Sequence, residues 1–288
     1  MPEAATELMV ELTLPALPEN VAVVRQAVAG VADALDVDVA LAADMKIAVT
    51  EACANAVLHA YDGAAGSLEV VIQSDAERMT VSVRDRGPGF KPLPASHEEA
   101  PLGFGLALIA SLADAFAVQG SPAGTEVQMT FDLHPDESRP AVPPPTVGQL
   151  AQDRPAPRAD AVMLRTSAGP LAQPVLGRVV SLMAARADFS IDRLSDAQIV
   201  SDALAQHVGR HALDGVVAIT IDESDRHLVL RAGPLSAGGG DAILAATELP
   251  GIGRLLPTLA SDVAVEPTPD SDSGEMLRVG LSEDPPEG

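Results

Sequence analysis

Three side chains able to do chemistry stand four apart in the stretch "TEACANAVLHAYDG" of residues 50–63: Glu51, Asn55 and His59. That spacing places them on one face of a helix. Their neighbours are Ala, Cys, Val and Leu, so a polar stripe runs along an otherwise apolar helix. Two glycine-bearing stretches follow. "DRGPG" at 85–89 comes after a β-rich run and offers a carboxylate, Asp85, beside Gly87 and Gly89; "GFGLALI" at 103–109 puts Gly103 and Gly105 where a loop enters a helix. Glycine lets the backbone approach a ligand closely, and free N–H groups at a helix start attract phosphate. Asp85 is suited to accept a hydrogen bond from an exocyclic amine such as that of adenine. Asn55 offers an amide oxygen to Mg2+, a hard cation that takes oxygen ligands. Glu51, one turn earlier, then lies near the terminal phosphate, where a base could receive a hydroxyl proton. His59 reads as a structural hydrogen bond or a pocket wall, and Lys46 and Arg84 as surface charges.

Several elements must position these groups. Residues 7–14 alternate as a strand, and 18–37 have helical periodicity with Pro18 and Asn20 at the start. A second helix covers about 39–60 and carries the polar stripe. "SLEVVIQSD" and "RMTVSVRDR" predict an antiparallel pair of strands, the second ending at Asp85. "LALIASLADAFAV", residues 106–118, reads as a helix, and "GTEVQMTFDL" as a closing strand. From 135 the chain turns Pro-rich, "PDESRPAVPPPTVGQLAQDRPAPRAD", a composition that builds no core and has some polyproline stiffness. The organisation read from this is a first domain at 1–134, a linker at 135–170, a second domain at 171–282 and an acidic tail at 283–288.

Composition narrows the class. Hydrophobic residues make up 47% of the 288 and aromatics only 2%, so the cores are built from Ala, Val and Leu. The formal net charge is −23, from 41 acidic and 18 basic residues, which repels phosphate backbones and argues against direct nucleic-acid binding. The single cysteine, Cys53, excludes an intramolecular disulfide framework and suits a reducing cytoplasm. No apolar run approaches a membrane span, and the N-terminus has no signal-peptide pattern, so a cytoplasmic protein without membrane contact is expected.

Taken in order, Glu-x-x-x-Asn, Asp-x-Gly-x-Gly, Gly-x-Gly-Leu and Gly-Thr resemble the ATP-binding fold shared by histidine kinases, gyrase and MutL. Within it, "EACANAVLHAY", "VRDRGPGF" and "LGFGLALIASLAD" are most similar to the bacterial anti-sigma factor serine/threonine kinases. The resemblance covers about residues 8–133. It implies an α+β fold, a two-layer sandwich with a mixed sheet and helices on one face, and use of ATP with Mg2+. It implies these roles: Glu51 as general base, Asn55 on Mg2+, Asp85 on the adenine amino group with Gly87 and Gly89 shaping that pocket. Gly103, Gly105 and Leu106 would contact phosphates, and Thr125 would support Asp85 and the base. The implied partners are an anti-sigma antagonist of the STAS type and a sigma factor. The stretch between Phe90 and Gly103 is acidic, with Lys91 and His97 as its cations, so phosphate charge would be met by Mg2+ and backbone amides.

The second half repeats the plan of the first. In the register read from sequence, Asp202 falls on Glu51, Gln206 on Asn55, Gly251 and Gly253 on Gly103 and Gly105, and Asp262 on Asp114. "LRAGPL" has no equivalent of Asp85, and Arg254 and Pro257 interrupt the helix after the glycines. The expectation is a degenerate second copy that does not bind ATP, against the alternative of an unrelated α/β domain. The linker is long enough for the two to pair as a pseudo-dimer; a homodimer is the alternative arrangement. Function is read as phosphorylation of an antagonist, with a non-catalytic ATP-gated module that sequesters a sigma factor or antagonist as the alternative.

Overall fold

The structure, a computed structural model, describes residues 8–61, 64–75, 77–87, 104–134, 161–213, 215–249, 253–268 and 274–283. The chain divides into two compact units, Met1–Ala159 and Asp160–Gly288.

The first unit begins with strand β1 (Leu8–Pro15), whose Val10, Leu12 and Leu14 alternate onto one buried face. Asn20 opens helix α1 (Asn20–Ala34), and its amide donates to the Pro15 carbonyl at 2.9 Å, which sets the angle between strand and helix. A left-handed residue, Asp36 (φ 51°), turns the chain into helix α2 (Val39–His59). Asp38 caps α2, its carboxylate accepting from the Ala40 and Leu41 N–H groups at 2.9 and 3.3 Å. Strands β2 (Ser67–Ser74) and β3 (Arg78–Asp85) form a hairpin whose turn is held by Asp75, an acceptor for the Glu77 and Arg78 N–H groups at 2.8 Å. Helix α3 (Phe104–Leu112) and strands β4 (Ala115–Ser121) and β5 (Gly124–Asp132) complete the unit.

The sheet order is β1-β2-β3-β5-β4. Where the sequence suggested a mixed sheet, the four pairings within this unit are antiparallel, because the two-helix excursion after β1 returns the chain in the opposite direction. The helices lie on one face, giving an α+β two-layer sandwich. Between the layers, Val24, Val28, Met45, Val49 and Cys53 pack over Leu12, Val70, Ile72, Val81 and Phe131, all of them buried. Each such side chain contributes about 1.5–3 kcal/mol on burial. Burial pushes the Cys53 thiol up to about 12, so it serves as a small hydrophobe and not as a nucleophile.

The helix expected over 106–118 is shorter. Asp114 stops it: its N–H donates to the Thr130 carbonyl at 3.0 Å, and its carboxylate accepts from the Asp132 N–H at 2.7 Å. Residues 115–118 therefore enter edge strand β4 in register with β5.

The second unit opens with strand β6 (Ala161–Ser167), a stretch that the sequence reading assigned to the linker. Val162, Leu164 and Thr166 alternate onto a buried face and the strand pairs along β7, which is why this segment is ordered into the sheet. The Pro-rich residues 135–160 and the tail beyond 283 lie outside the described residues. Helices α4 (Ala172–Arg186) and α5 (Ile191–His207) follow, then strands β7 (Val216–Ser224) and β8 (His227–Leu235). Helix α6 (Gly239–Ala246), the short pair β9 (Glu248–Leu249) and β10 (Gly253–Arg254), and helix α7 (Leu255–Leu259) lead to strands β11 (Asp262–Pro267) and β12 (Glu275–Ser282). The order β6-β7-β8-β12-β11 repeats that of the first unit.

Among the described residues, no helix is long and apolar enough to cross a membrane.

Candidate nucleotide site

Asp85 ends strand β3 on the helix-facing side of the sheet and is buried. Its Oδ1 accepts two main-chain hydrogen bonds, from the Gly87 N–H at 3.0 Å and from the Thr125 N–H at 3.2 Å. Both go to one oxygen, which leaves Oδ2 to meet a ligand. The support from position 125 thus comes from the backbone, not from the threonine hydroxyl. Two glycines make this arrangement sterically feasible. A Cβ on Gly87 would stand 2.1 Å from the Ala60 carbonyl oxygen, and one on Gly124, where φ is +138°, would stand 2.0 Å from the Asp85 carbonyl oxygen. Only glycine tolerates that approach.

Glu51 and Asn55, one turn apart on α2, are both half-buried and face the start of α3. A Cβ on Gly105 would lie 3.0 Å from Glu51 Oε2 and 3.3 Å from Asn55 Nδ2, so the glycine is what lets the helix start sit directly over both polar groups. Leu106 follows Gly105 on α3 and is half-buried. The structure thereby forms two clusters, Glu51–Asn55–Gly105 and Asp85–Gly87–Thr125. Gly87, against the carboxyl end of α2, links them. Gly89 and Gly103 lie outside the described residues. His59, four residues beyond Asn55, is exposed.

Sequence reasoning missed Tyr61. Its hydroxyl donates to the Ser67 carbonyl at 2.5 Å and accepts from the Ser67 N–H at 3.2 Å and the Arg86 N–H at 2.7 Å. One phenol thus ties the end of α2 to the start of β2 and to the residue after Asp85, with Gly66 beneath its ring. The available signal was that it is the only tyrosine of the chain, placed in the turn just after the polar stripe. Tyr61→Phe leaves those donors and that acceptor unmatched. It should lower stability by about 1–3 kcal/mol and weaken nucleotide binding, as measured by thermal melts with and without ATP.

Arg84 is not a free surface charge either. It is half-buried and stands in register between Glu69 on β2 and Glu126 on β5. Burial pushes the Glu126 carboxyl above the usual carboxylate range, with Arg84 opposing the shift and Glu69 adding to it. Arg86 pairs with Glu69 at 2.5 Å.

The second unit shows what the equivalent place has become, in a register one residue away from the one read from sequence. Asp188 adopts the same left-handed turn (φ 58°) between α4 and α5 that Asp36 adopts between α1 and α2, and α4 begins as many residues before it as α1 does before Asp36. Counting from these landmarks puts Ala203 at the position of Glu51 and His207 at that of Asn55, not Asp202 and Gln206. Burial, then Arg210 and His211, lower the pKa of His207 and favour a neutral imidazole. Likewise Ser261, not Asp262, reproduces the bonds of Asp114: its N–H donates to the Gly280 carbonyl at 2.9 Å, and its hydroxyl accepts from the Ser282 N–H at 3.0 Å. Where β3 ends in Asp85, β8 ends in Gly233-Pro234-Leu235. The start of α6 is filled from within, since the Glu275 carboxylate accepts from the Gly238 and Gly240 N–H groups at 2.8 and 3.2 Å. Gly253 sits on β10 and not at a helix start, Gly251 lies outside the described residues, and α7 has five residues.

Asp85, buried at a strand end, and Glu51 and Asn55, beside the glycine start of α3, are the groups of the first unit that could meet a nucleotide. Comparison with known families gives its class: residues 14–131 match the histidine kinase-like ATPase domain. Among curated proteins, the chain is similar to the serine-protein kinases RsbW of Bacillus pumilus (35% identical over 141 residues, 44% of this chain and 86% of that one) and of Bacillus velezensis (38% over 138 residues, 43% and 86%). The RsbW of Bacillus subtilis is 35% identical over 138 residues, with 43% and 86% covered. A solved structure, the blue-light activated histidine kinase of Erythrobacter litoralis EL346, overlaps 34% of this chain and 32% of its own at 26% identity, with a TM-score of 0.30. The chain belongs to the family of these anti-sigma-type serine-protein kinases, and its first unit is the ATP-binding domain.

Proposed function

We propose that the first unit transfers the terminal phosphoryl group of ATP to a serine or threonine hydroxyl of an anti-sigma antagonist protein of the STAS type, in the cytoplasm, and that it also holds the cognate sigma factor. The observation that carries this reading is the convergence of Glu51 and Asn55 on the Gly105 helix start. Asp85 Oδ2 accepts from the adenine amino group, while Gly87 and Thr125 hold the carboxylate in place through Oδ1. The N–H groups at the start of α3, from Gly105 and Leu106, receive phosphate oxygens; the resemblance gives Gly103 the same role and Gly89 a part in shaping the adenine pocket. Glu51 Oε2 orients the incoming hydroxyl and takes its proton as the new P–O bond forms and the bond from the γ-phosphorus to the β,γ-bridging oxygen breaks, releasing ADP.

The residues present also fit Mg2+. Among the described residues no cluster of three His, Cys, Asp or Glu side chains could hold a metal. A single amide oxygen, from Asn55, suits a cation that keeps waters and phosphate oxygens as its other ligands. Its bound charge would neutralise the phosphates. The second unit is, in this proposal, a degenerate copy of the fold that binds partners and not nucleotide. Ala203, His207, Pro234 and the internal Glu275 cap support that reading, since each removes one part of the pocket chemistry.

Calorimetric titration of the full chain with ATP tests it. One site per chain is expected, weakened by chelation of Mg2+, and weakened at least about tenfold by Asn55→Ala, the effect of losing ~1.4 kcal/mol. Two sites would overturn the assignment of the second unit, and none would overturn the assignment of the first.

A further inference from the structure

Helix α2 is apolar on both sides. Its inner face, with Met45, Ala48, Val49, Ala52, Cys53 and Ala56, is buried against the sheet. On the outer face, helical spacing aligns Ile47, Ala54 and Leu58, with Glu51 along the edge of that strip. Ile47 is 45% exposed and Leu58 66%, so the strip sets two large apolar side chains in solvent on a helix whose opposite face is buried. Thr50 adds to the strip, since its hydroxyl is turned back to the Lys46 carbonyl at 2.6 Å.

The chain contains its own comparison. At the matching positions of α5, Ile47 is kept as Ile199, which is 42% exposed, whereas Thr50, Ala54 and Leu58 are replaced by Asp202, Gln206 and Arg210, and Glu51 by Ala203. The copy that has no carboxylate for chemistry also has a polar outer face around that place. The apolar carboxyl half of the strip, Ala54 and Leu58, therefore accompanies the base, whereas the exposed isoleucine is common to both units.

Resting on the phosphotransfer reading above, we infer that the outer face of α2, centred on Leu58 and extending to Ile47, is the docking surface for the protein that brings its hydroxyl to Glu51. The occupant is the phosphoacceptor protein itself, presenting an apolar patch next to its acceptor serine or threonine. Charge sets the rest of its chemistry. Asp36 and Asp38 stand just before α2 and Asp44 in its second turn, in a chain of net charge −23, so the complementary surface carries basic side chains around that patch. A macromolecular substrate needs such a platform, because its hydroxyl must be held in line with the phosphoryl group by contacts outside the nucleotide pocket.

The test uses the full chain, radiolabelled ATP and a purified STAS-type antagonist protein. Ile47→Glu and Leu58→Glu should each raise the KM for the antagonist about tenfold or more, the scale of a central interface residue. ATP affinity and kcat should stay within about twofold, since both side chains lie on the outer face of α2 and neither is assigned a role toward the nucleotide. Ile199→Glu, the equivalent change on α5, should leave KM unaltered. If the unmodified chain labels the antagonist and both α2 variants keep its KM, the docking surface is wrong while the kinase reading stands. A loss of ATP affinity matching the rise in KM would also overturn it, by making the strip part of the pocket. If the unmodified chain binds ATP and labels no antagonist, the kinase reading fails and takes the docking surface with it.

Discussion

Asp85→Asn should raise the dissociation constant for ATP about a hundredfold, the equivalent of ~3 kcal/mol, with the melting temperature unchanged to within about 2 °C. The reasoning lies in how the carboxylate is held. Oδ1 takes both main-chain bonds, from Gly87 and Thr125. An asparagine can keep those two bonds with its carbonyl oxygen. Its NH2 group then replaces Oδ2 and sets a donor against the amino donor of adenine, so the binding hydrogen bond becomes a repulsion at an unchanged fold. Hydrogen bonds to a charged partner are worth about 1.5–3 kcal/mol, and leaving two donors unpaired adds to the loss. Asp85→Ala separates the two effects, because it removes the Oδ1 bonds as well and should also destabilise the protein by about 1–3 kcal/mol. Calorimetry with ATP, beside thermal melts of the nucleotide-free proteins, reads both. An Asn variant that binds ATP normally would remove Asp85 from the adenine site.

Glu51→Gln is expected to lower the rate of phosphoryl transfer to the antagonist by ~10²–10⁴, the usual contribution of a positioned base, and to leave ATP binding within a few-fold. Gln has the same length and shape, so the close contact with Gly105 and Asn55 persists while the proton acceptor is lost. Phosphotransfer depends on placing the hydroxyl and the phosphoryl group, and an amide at position 51 can still contribute part of that placement. The substitution also separates catalysis from capture. A variant that still binds ATP, no longer labels the antagonist and still retains the sigma factor would show that the two partner activities draw on different parts of one domain. An unchanged labelling rate would displace Glu51 from the role of base.

The two units extend the same physical lesson. They share the turn through a left-handed aspartate, the paired helices and the hairpin, yet the nucleotide chemistry differs at every point where it can be compared: Ala203 for Glu51, His207 for Asn55, Pro234 at the strand end. Fold and site answer to different constraints. Apolar periodicity keeps the sandwich together, whereas the site depends on single side chains that packing does not require.

That distinction also separates what the chain's sequence determined by itself from what only the tertiary structure decided. The helix with Glu51 and Asn55, the β2–β3 hairpin ending at Asp85 and the glycine start of α3 are legible from local spacing, because a period of 3.6 or 2 and a turn residue act over a few positions. The partner that steadies Asp85 is the N–H of Thr125, forty residues away, and its identity as a backbone group cannot be read from residue types. Tyr61 gains its importance from bonding Ser67 at the start of β2 and Arg86 just past the end of β3, and Gly124 from the 2.0 Å that a side chain would leave to the Asp85 carbonyl oxygen. The same holds for residues 115–118, which continue a helical pattern but are captured by β5 once Asp114 bonds Thr130 and Asp132. In the second unit, sequence likeness alone put Asp202 opposite Glu51, and the backbone turn at Asp188 moved that register by one residue. A shift of one position rotates a helical side chain by about 100°, enough to decide which residue faces the pocket.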